Sequence, residues 1–179
     1  RTSPGQFVMR GGGGVTMDSK DPIAREKFVV AADIDAQRST SRLRRGAAVD
    51  IEFIATVLGD DVELESYLLW DKSRDDLVQR VVRKVGSIRI DERDLQPTPG
   101  DETTDALLDR VRATNMAVLG NGSATAFRQR IAFLRHHQGD AWPETSNAHL
   151  LATLEEWLVP FLAGATSRSD LAKVDVTMV

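Results

Sequence analysis

The apolar positions change period near the middle of this chain, and that change sets the expected architecture. Gln6-Phe7-Val8-Met9-Arg10 reads as a short strand, Gly11 to Gly14 as a flexible turn, and Val15-Thr16-Met17 as the start of the return. Lys27 to Ile34 is an apolar, β-branched run of strand length. From Ser39 to Val49, Arg42 and Arg44 share one parity while Leu43, Ala47 and Val49 share the other. A period of two puts such sets on opposite faces of a strand. Gly46 is a candidate bulge. The period then becomes helical: Asp50 suits an N-cap, Ile51, Ile54, Ala55 and Leu58 recur on one side, and Gly59 suits the position past the end. Strand patterning returns at Val62 to Trp70 and at Leu77 to Ile90, on either side of a polar turn at 71–75. Gly86 predicts a sharp bend in the last of these.

Three strands, a helix and two strands is the order of the OB-fold, a five-stranded Greek-key barrel with a helix between strands three and four. The expected class is therefore α+β: an OB-like barrel over residues 1–95, with another small α+β domain of the same element order as the alternative. Gln96-Pro97-Thr98-Pro99-Gly100 favours an extended linker, residues 96–100. Residues 101–179 read as a small all-helical extension. Asp101 is expected to cap a helix to about Leu119 that buries Leu107, Leu108, Val111 and Val118. Ser123 is expected to cap a second, with Phe127, Ile131 and Leu134 inward and Arg128, Arg130 and Arg135 off that face. Ser146 opens a third with a broad stripe through Leu150, Leu154, Trp157, Leu158 and Phe161, which Pro160 bends or ends. Ser167 and Asp170 resemble a capping box before Leu171 and Val174.

Composition narrows the chemistry. The chain has 179 residues, 41% hydrophobic and 28% charged, which is ordinary for a globular protein and opposes disorder. It contains no Cys, which excludes disulfide frameworks, Cys-ligated zinc, Cys nucleophiles and iron–sulfur clusters. The longest apolar run is about five residues, against about twenty for a bilayer span. No secretory leader pattern is present, so a cytoplasmic protein without membrane partners is the expectation. The chain begins at Arg1 rather than Met, which reads as a piece of something longer. The net charge of -4 conceals segregation. Arg38, Arg42, Arg44 and Arg45 fall in a stretch with no acid, as do Arg80, Arg83, Lys84 and Arg89, while acids gather at Asp60 to Glu65 and Asp71 to Asp76. Local basic tracts decide whether a surface attracts phosphate.

Arg42, Arg44, Arg45, Arg80, Arg83 and Lys84 are the candidate nucleic-acid-binding residues, forming one basic face if their two strands lie close. Tyr67 and Trp70 offer stacking surfaces, although Trp70 suits a core equally. The competing reading is a solvated sheet face with counter-ions from Asp60 to Glu65. The Gly11–Gly14 loop lacks the Lys-Ser/Thr of a P-loop and does not open a helix, so it reads as a hairpin turn. His136, His137 and His149 with Asp140 are the one metal-like cluster, but adjacent helical side chains point about 100° apart, and helix-end histidines are the simpler reading. No Ser–His–Asp set and no spaced acid pair marks a hydrolase.

Several segments together resemble the C-terminal region of the bacterial HrpB family, ATP-dependent RNA helicases of the DEAH-box group. They are Phe28 to Asp35, Ala47-Ala48-Val49-Asp50, Trp70-Asp71 with Val81-Val82-Arg83 and Gly86, and, most specifically, Ala141-Trp142-Pro143 with Leu150 to Leu158 and Pro160 to Gly164. The resemblance runs from about Phe7 to about Val174. It implies an OB-like domain followed by the start of a family-specific extension that continues past Val179. In such a protein two RecA-like domains hydrolyse ATP with Mg and pull single-stranded RNA. This chain has no Walker A sequence, no Asp-Glu-x-His box and no arginine-finger motif, so no catalytic residue carries over, and ATP and Mg belong to the motor rather than to this part. The implied partners are single-stranded RNA and the motor domains in cis. The alternative role is a protein-interaction module docking on the helicase core or on another protein. Where the family's glycine-rich turn often includes Asn or Arg, this chain has four bare glycines.

Overall fold

The computed structural model describes residues 3–36, 41–120 and 124–174. Arg38, Ser39 and the expected cap Ser123 lie outside them. β1 (Gln6–Val8) and β2 (Gly14–Thr16) pair antiparallel across the glycine turn. The Met9 N–H donates to the Gly13 carbonyl at 2.8 Å and the Gly12 N–H to that of Met9 at 2.9 Å, so the loop's backbone closes a hairpin, as its composition suggested. β3 (Phe28–Ala36) and β4 (Ser41–Val49) form the long antiparallel pair. Their register slips on both sides of Asp33, leaving Ala32 and Arg44 without a residue opposite. The irregularity begins beside Gly46, where a Cβ would stand 2.8 Å from the Val30 carbonyl oxygen. β2 also pairs parallel with β4, giving a four-stranded sheet of order β1-β2-β4-β3.

α1 (Ile51–Val57) follows, with the Asp50 carboxylate accepting the Phe53 N–H at 2.7 Å. This is the expected cap; it satisfies one of the N–H groups a helix start leaves unpaired. β5 (Glu63–Asp71), β6 (Asp76–Val85) and β7 (Ile88–Leu95) form a second sheet in that order. Only Gly86 and Ser87 separate β6 from β7, a connection that an antiparallel pair alone permits. Gly86 has φ +56°, and a Cβ there would meet the Arg10 carbonyl oxygen at 2.5 Å. The bend expected at Gly86 is thus the turn between two strands.

The expected five-stranded barrel is not what the strands build. The architecture is α+β with two sheets and several helices, and among the described residues no ladder joins the sheets into a closed barrel. Closure needs an inward-facing residue at every second position of each strand. In β5 the run Glu63 to Tyr67 is exposed on both faces, Leu64 to 70%. β3 is exposed from Val30 to Asp33.

The chain divides into two compact units, Arg1–Ser66 with Val81–Arg93 and Tyr67–Arg80 with Asp94–Val179. Among its described residues the first holds two small apolar clusters. One has Phe7, Val15 and Leu43 at its centre; the other has Phe28, Val85 and Ile90, with α1 packed on it through Ile51 and Ile54. The second unit has one continuous core. It draws on Leu77, on α2 (Asp101–Ala113) through Leu107, Leu108 and Val111, on α5 (Leu154–Leu158) and on α6 (Arg168–Lys173). α2 stops at Ala113, where the expected helix ran on to Leu119; Asn115 and Met116 adopt positive φ, yet Met116, Val118 and Leu119 remain buried. Its cap position is Gly100, with Asp101 inside the helix.

α3 (Ala124–Gln138) departs most from its sequence pattern. Ile131 is buried, but Phe127 is 47% exposed and Phe133 62%, and no residue of α3 belongs to the unit's main core. The third expected helix is two: α4 (Asn147–Ala152), capped by Ser146, and α5, separated at Thr153. A 3₁₀ turn at Val159–Leu162 carries Pro160 at its start and leaves Phe161 half exposed, where a core position was expected. The capping box at α6 forms with its return bond one residue early: Ser167 Oγ accepts the Asp170 N–H, and Asp170 accepts from the Thr166 N–H and the Ser167 hydroxyl.

Leu158 has no exposed surface, so Leu158→Ala is expected to cost about 2–5 kcal/mol in urea unfolding, and Phe127→Ala within about 0.5 kcal/mol of zero. The Ser167 hydroxyl and the Thr166 N–H hold the Asp170 carboxyl at about 2, below its ordinary 3.8. Between these values the folded state binds fewer protons than the unfolded, so the box stabilises fully above about pH 4 and is lost as pH falls towards 2. Asp170→Asn is therefore expected to destabilise by about 1 kcal/mol at neutral pH, with the gap from wild type closing over that window in thermal melts at stepped pH.

Candidate functional site

The basic stretch of β4 lies along an open cleft of about 1060 Å³. Arg42, Arg44 and Arg45 line it, and so do Asp18, Asp21, Asp33 and Asp35. The bulge determines who pairs with whom. Arg44, displaced from the ladder, donates from Nη2 to Asp35 Oδ2 at 2.5 Å. The bond and the nearby charge raise the Arg44 guanidinium above its ordinary value. Arg42 and Arg45 are exposed and carry no ion pair among the described residues.

On β6 the cations are spoken for. Arg80 donates from Nε and Nη2 to the two Asp94 oxygens at 2.7 and 3.0 Å, with Asp71 4.0 Å away. Arg83 makes the same forked contact with Asp91. Each bidentate bond holds its carboxylate below the usual range, Asp94 through Arg80 and Asp91 through Arg83. Lys84 lies 3.1 Å from Glu65 and 3.7 Å from Glu63, and the bond to Glu65 chiefly raises its ammonium. Counter-ions from Asp60 to Glu65 were expected, and Glu63 and Glu65 are there for Lys84; Asp91 and Asp94 of β7 were not expected. Their signal was present. Arg83 with Asp91, and Arg80 with Asp94, share one cross-strand offset about the Gly86-Ser87 turn.

The six candidates do not gather on one strand pair. β4 and β6 belong to different sheets, and along β6 Arg83 has opposite parity to Arg80 and Lys84. Trp70 is half buried against the helical unit's core, with its indole N–H on Asp75 at 2.9 Å and the Arg110 guanidinium 4.5 Å from its ring centroid. Asp75, read from the sequence only as a turn residue, also accepts from Arg110 at 2.6 Å and lies 3.2 Å from Arg168. The indole bond is the main cause that lowers its carboxyl. Tyr67 is exposed. His136 and His137 end α3, and His149 lies 4.0 Å from Glu144. Among the described residues, no group of three or more His, Asp or Glu is placed to hold a metal. No helix of the described residues is long and apolar enough to cross a membrane.

The chain is homologous to an ATP-dependent RNA helicase. It is 26% identical over 182 residues to HrpB of Escherichia coli (strain K12), a match that takes in 98% of this chain and 22% of that protein. The resemblance read from the residue segments is thus matched in sequence along nearly the whole chain. Two crystal structures, of the E. coli DExH-box NTPase HrpB and of the E. coli DEAH/RHA helicase HrpB, align at a TM-score of 0.46 each. They are 23% and 22% identical and cover 99% of this chain and 22% and 23% of their own. No family model matches the chain.

If carboxylates mask the β6 arginines, Asp91→Asn with Asp94→Asn is expected to strengthen binding to single-stranded polyanions. The slope of log affinity against log salt should steepen by about 0.7 for each additional phosphate neutralised. Retention on heparin and a salt titration against poly(U) read this directly; an unchanged slope in a folded variant contradicts the masking.

Proposed function

We propose that this chain is a non-motor accessory part of an HrpB-type ATP-dependent RNA helicase that contacts single-stranded RNA by its backbone. The homology along 98% of the chain carries the reading. In it, residues 1–95 stand at the position of the family's OB-like domain, 96–100 form the linker, and 101–179 begin the family-specific extension. ATP and Mg serve the RecA-like motor domains, which are this part's partners in cis. The chain supplies no catalytic group of its own and works in the cytoplasm.

The electrostatics favour unequal roles for the six cations. Arg42 and Arg45, exposed and without ion pairs among the described residues, meet phosphate at the lowest cost. Arg44, Arg80, Arg83 and Lys84 must first release carboxylates. Contacts of this kind position a strand and read little sequence. A second reading, a protein-docking module, draws support from the exposed Phe127 and Phe133 of α3.

Anisotropy of labelled single-stranded RNA, titrated at two salt concentrations, tests the proposal. Binding at low salt is expected to weaken as salt rises, and Arg42→Gln with Arg45→Gln to lower the salt slope by about 0.7 for each phosphate no longer neutralised. The same pair of changes at Arg83 and Lys84 is expected to do less. No binding at low salt, or a slope untouched by the β4 changes, removes the RNA role and leaves the docking reading.

A further inference from the structure

We infer that the first unit holds a binding site for a small apolar molecule bearing a single negative charge. The site is the cavity of about 320 Å³ between the unit's two apolar clusters. Phe7, Val15 and Leu43 from one cluster and Phe28, Val85 and Ile90 from the other all line it. These side chains are buried and belong to two separate clusters. An apolar cavity of about 150 Å³ stays dry and accepts benzene. This one has about twice that volume and falls at the lower end of the range that small ligands occupy, about 300–1,000 Å³. A fused aromatic ring pair or a short alkyl chain is the matching body.

The charge of the ligand follows from the lining. Among the described residues it contains no carboxylate, although the whole chain carries a net charge of -4. Its ionisable residues among those described are Arg10 and Lys27. Arg10 is committed to Asp61 at 3.2 Å. Lys27 donates one hydrogen from Nζ to the Ile90 carbonyl at 3.0 Å and lies 5.1 Å from the centroid of the Phe28 ring. An ammonium has three donors, so two remain to receive an anion where the apolar wall ends. Asp91, the carboxylate that senses Lys27, is itself held by the fork of Arg83. A monocarboxylate whose apolar body enters the cavity therefore satisfies the lining where a dianion or a neutral polar molecule does not. The inference does not depend on the RNA reading, because none of the six candidate cations lines the cavity.

Naphthoate is the probe and naphthalenemethanol its neutral control, each titrated into the whole chain by calorimetry, with methyl NMR shifts to locate the contact. Naphthoate is expected to bind the more tightly of the two and to shift the methyls of Val15, Leu43 and Val85. Lys27→Met should weaken naphthoate about tenfold and leave the alcohol unchanged, the effect of one lost hydrogen bond to a charged group. Val30 lines the cavity and is 48% exposed, so Val30→Trp should retain the fold and abolish binding of both. Saturation by neither probe overturns the site. Equal affinities, or naphthoate binding untouched by Lys27→Met, overturn the anion selectivity. Binding that survives Val30→Trp in a folded variant places the ligand elsewhere and overturns the assignment.

Discussion

Gly86 lies against the backbone of Arg10 in a way no other residue can repeat, since a Cβ would meet the Arg10 carbonyl oxygen at 2.5 Å and φ is positive there. The Ser87 N–H donates to that same carbonyl at 2.9 Å, so the β6–β7 turn is fastened to the β1–β2 hairpin. The turn in turn sets the offset between β6 and β7. That offset delivers Asp91 to Arg83 and Asp94 to Arg80. A shift of one residue would carry each carboxylate to the other face of its strand. One backbone contact thus governs the hairpin, its charge pairing and the position of Arg10 in the cavity wall.

The pairing changes how the charge of the surface should be judged. Formal counts treat every arginine alike, but a guanidinium forked onto a carboxylate presents little net field and must be released before it meets phosphate. Between β3 and β4 the two register shifts have the opposite effect. They displace Arg44 onto Asp35 and leave Arg42 and Arg45 exposed without ion pairs among the described residues. Irregular pairing, rather than the number of basic residues, therefore separates available from occupied cations.

The two units also differ in how they are filled. The helical unit closes a continuous core in which six leucines at 107, 108, 154, 158, 162 and 171 are almost wholly buried. The first unit keeps two small clusters with a cavity between them. Dense packing resists substitution and fixes geometry, while a cavity forgoes dispersion attraction along its walls. α3 stands outside this scheme. Arg128 bonds to the Thr145 carbonyl and to Asn147, and Arg135 to the Trp142 carbonyl, so polar contacts join it to the segment that follows.

Features settled within a few residues were legible from the chain. Asp50, Ser146 and the Ser167–Asp170 pair cap the helices they precede, the glycine run closes a hairpin, and Gly86 makes a turn, because each depends on hydrogen bonds or backbone angles among near neighbours. The related helicase was legible for a different reason: a string of matched segments survives in the chain without reference to its shape. Closure of the sheet, the exposure of Phe127 and Phe161, and the carboxylates held by each β6 arginine were not. A period of two or of 3.6 says which residues share a face, but not what that face meets. Residues far apart in the chain decide that, and they come together only once the strands have chosen their partners.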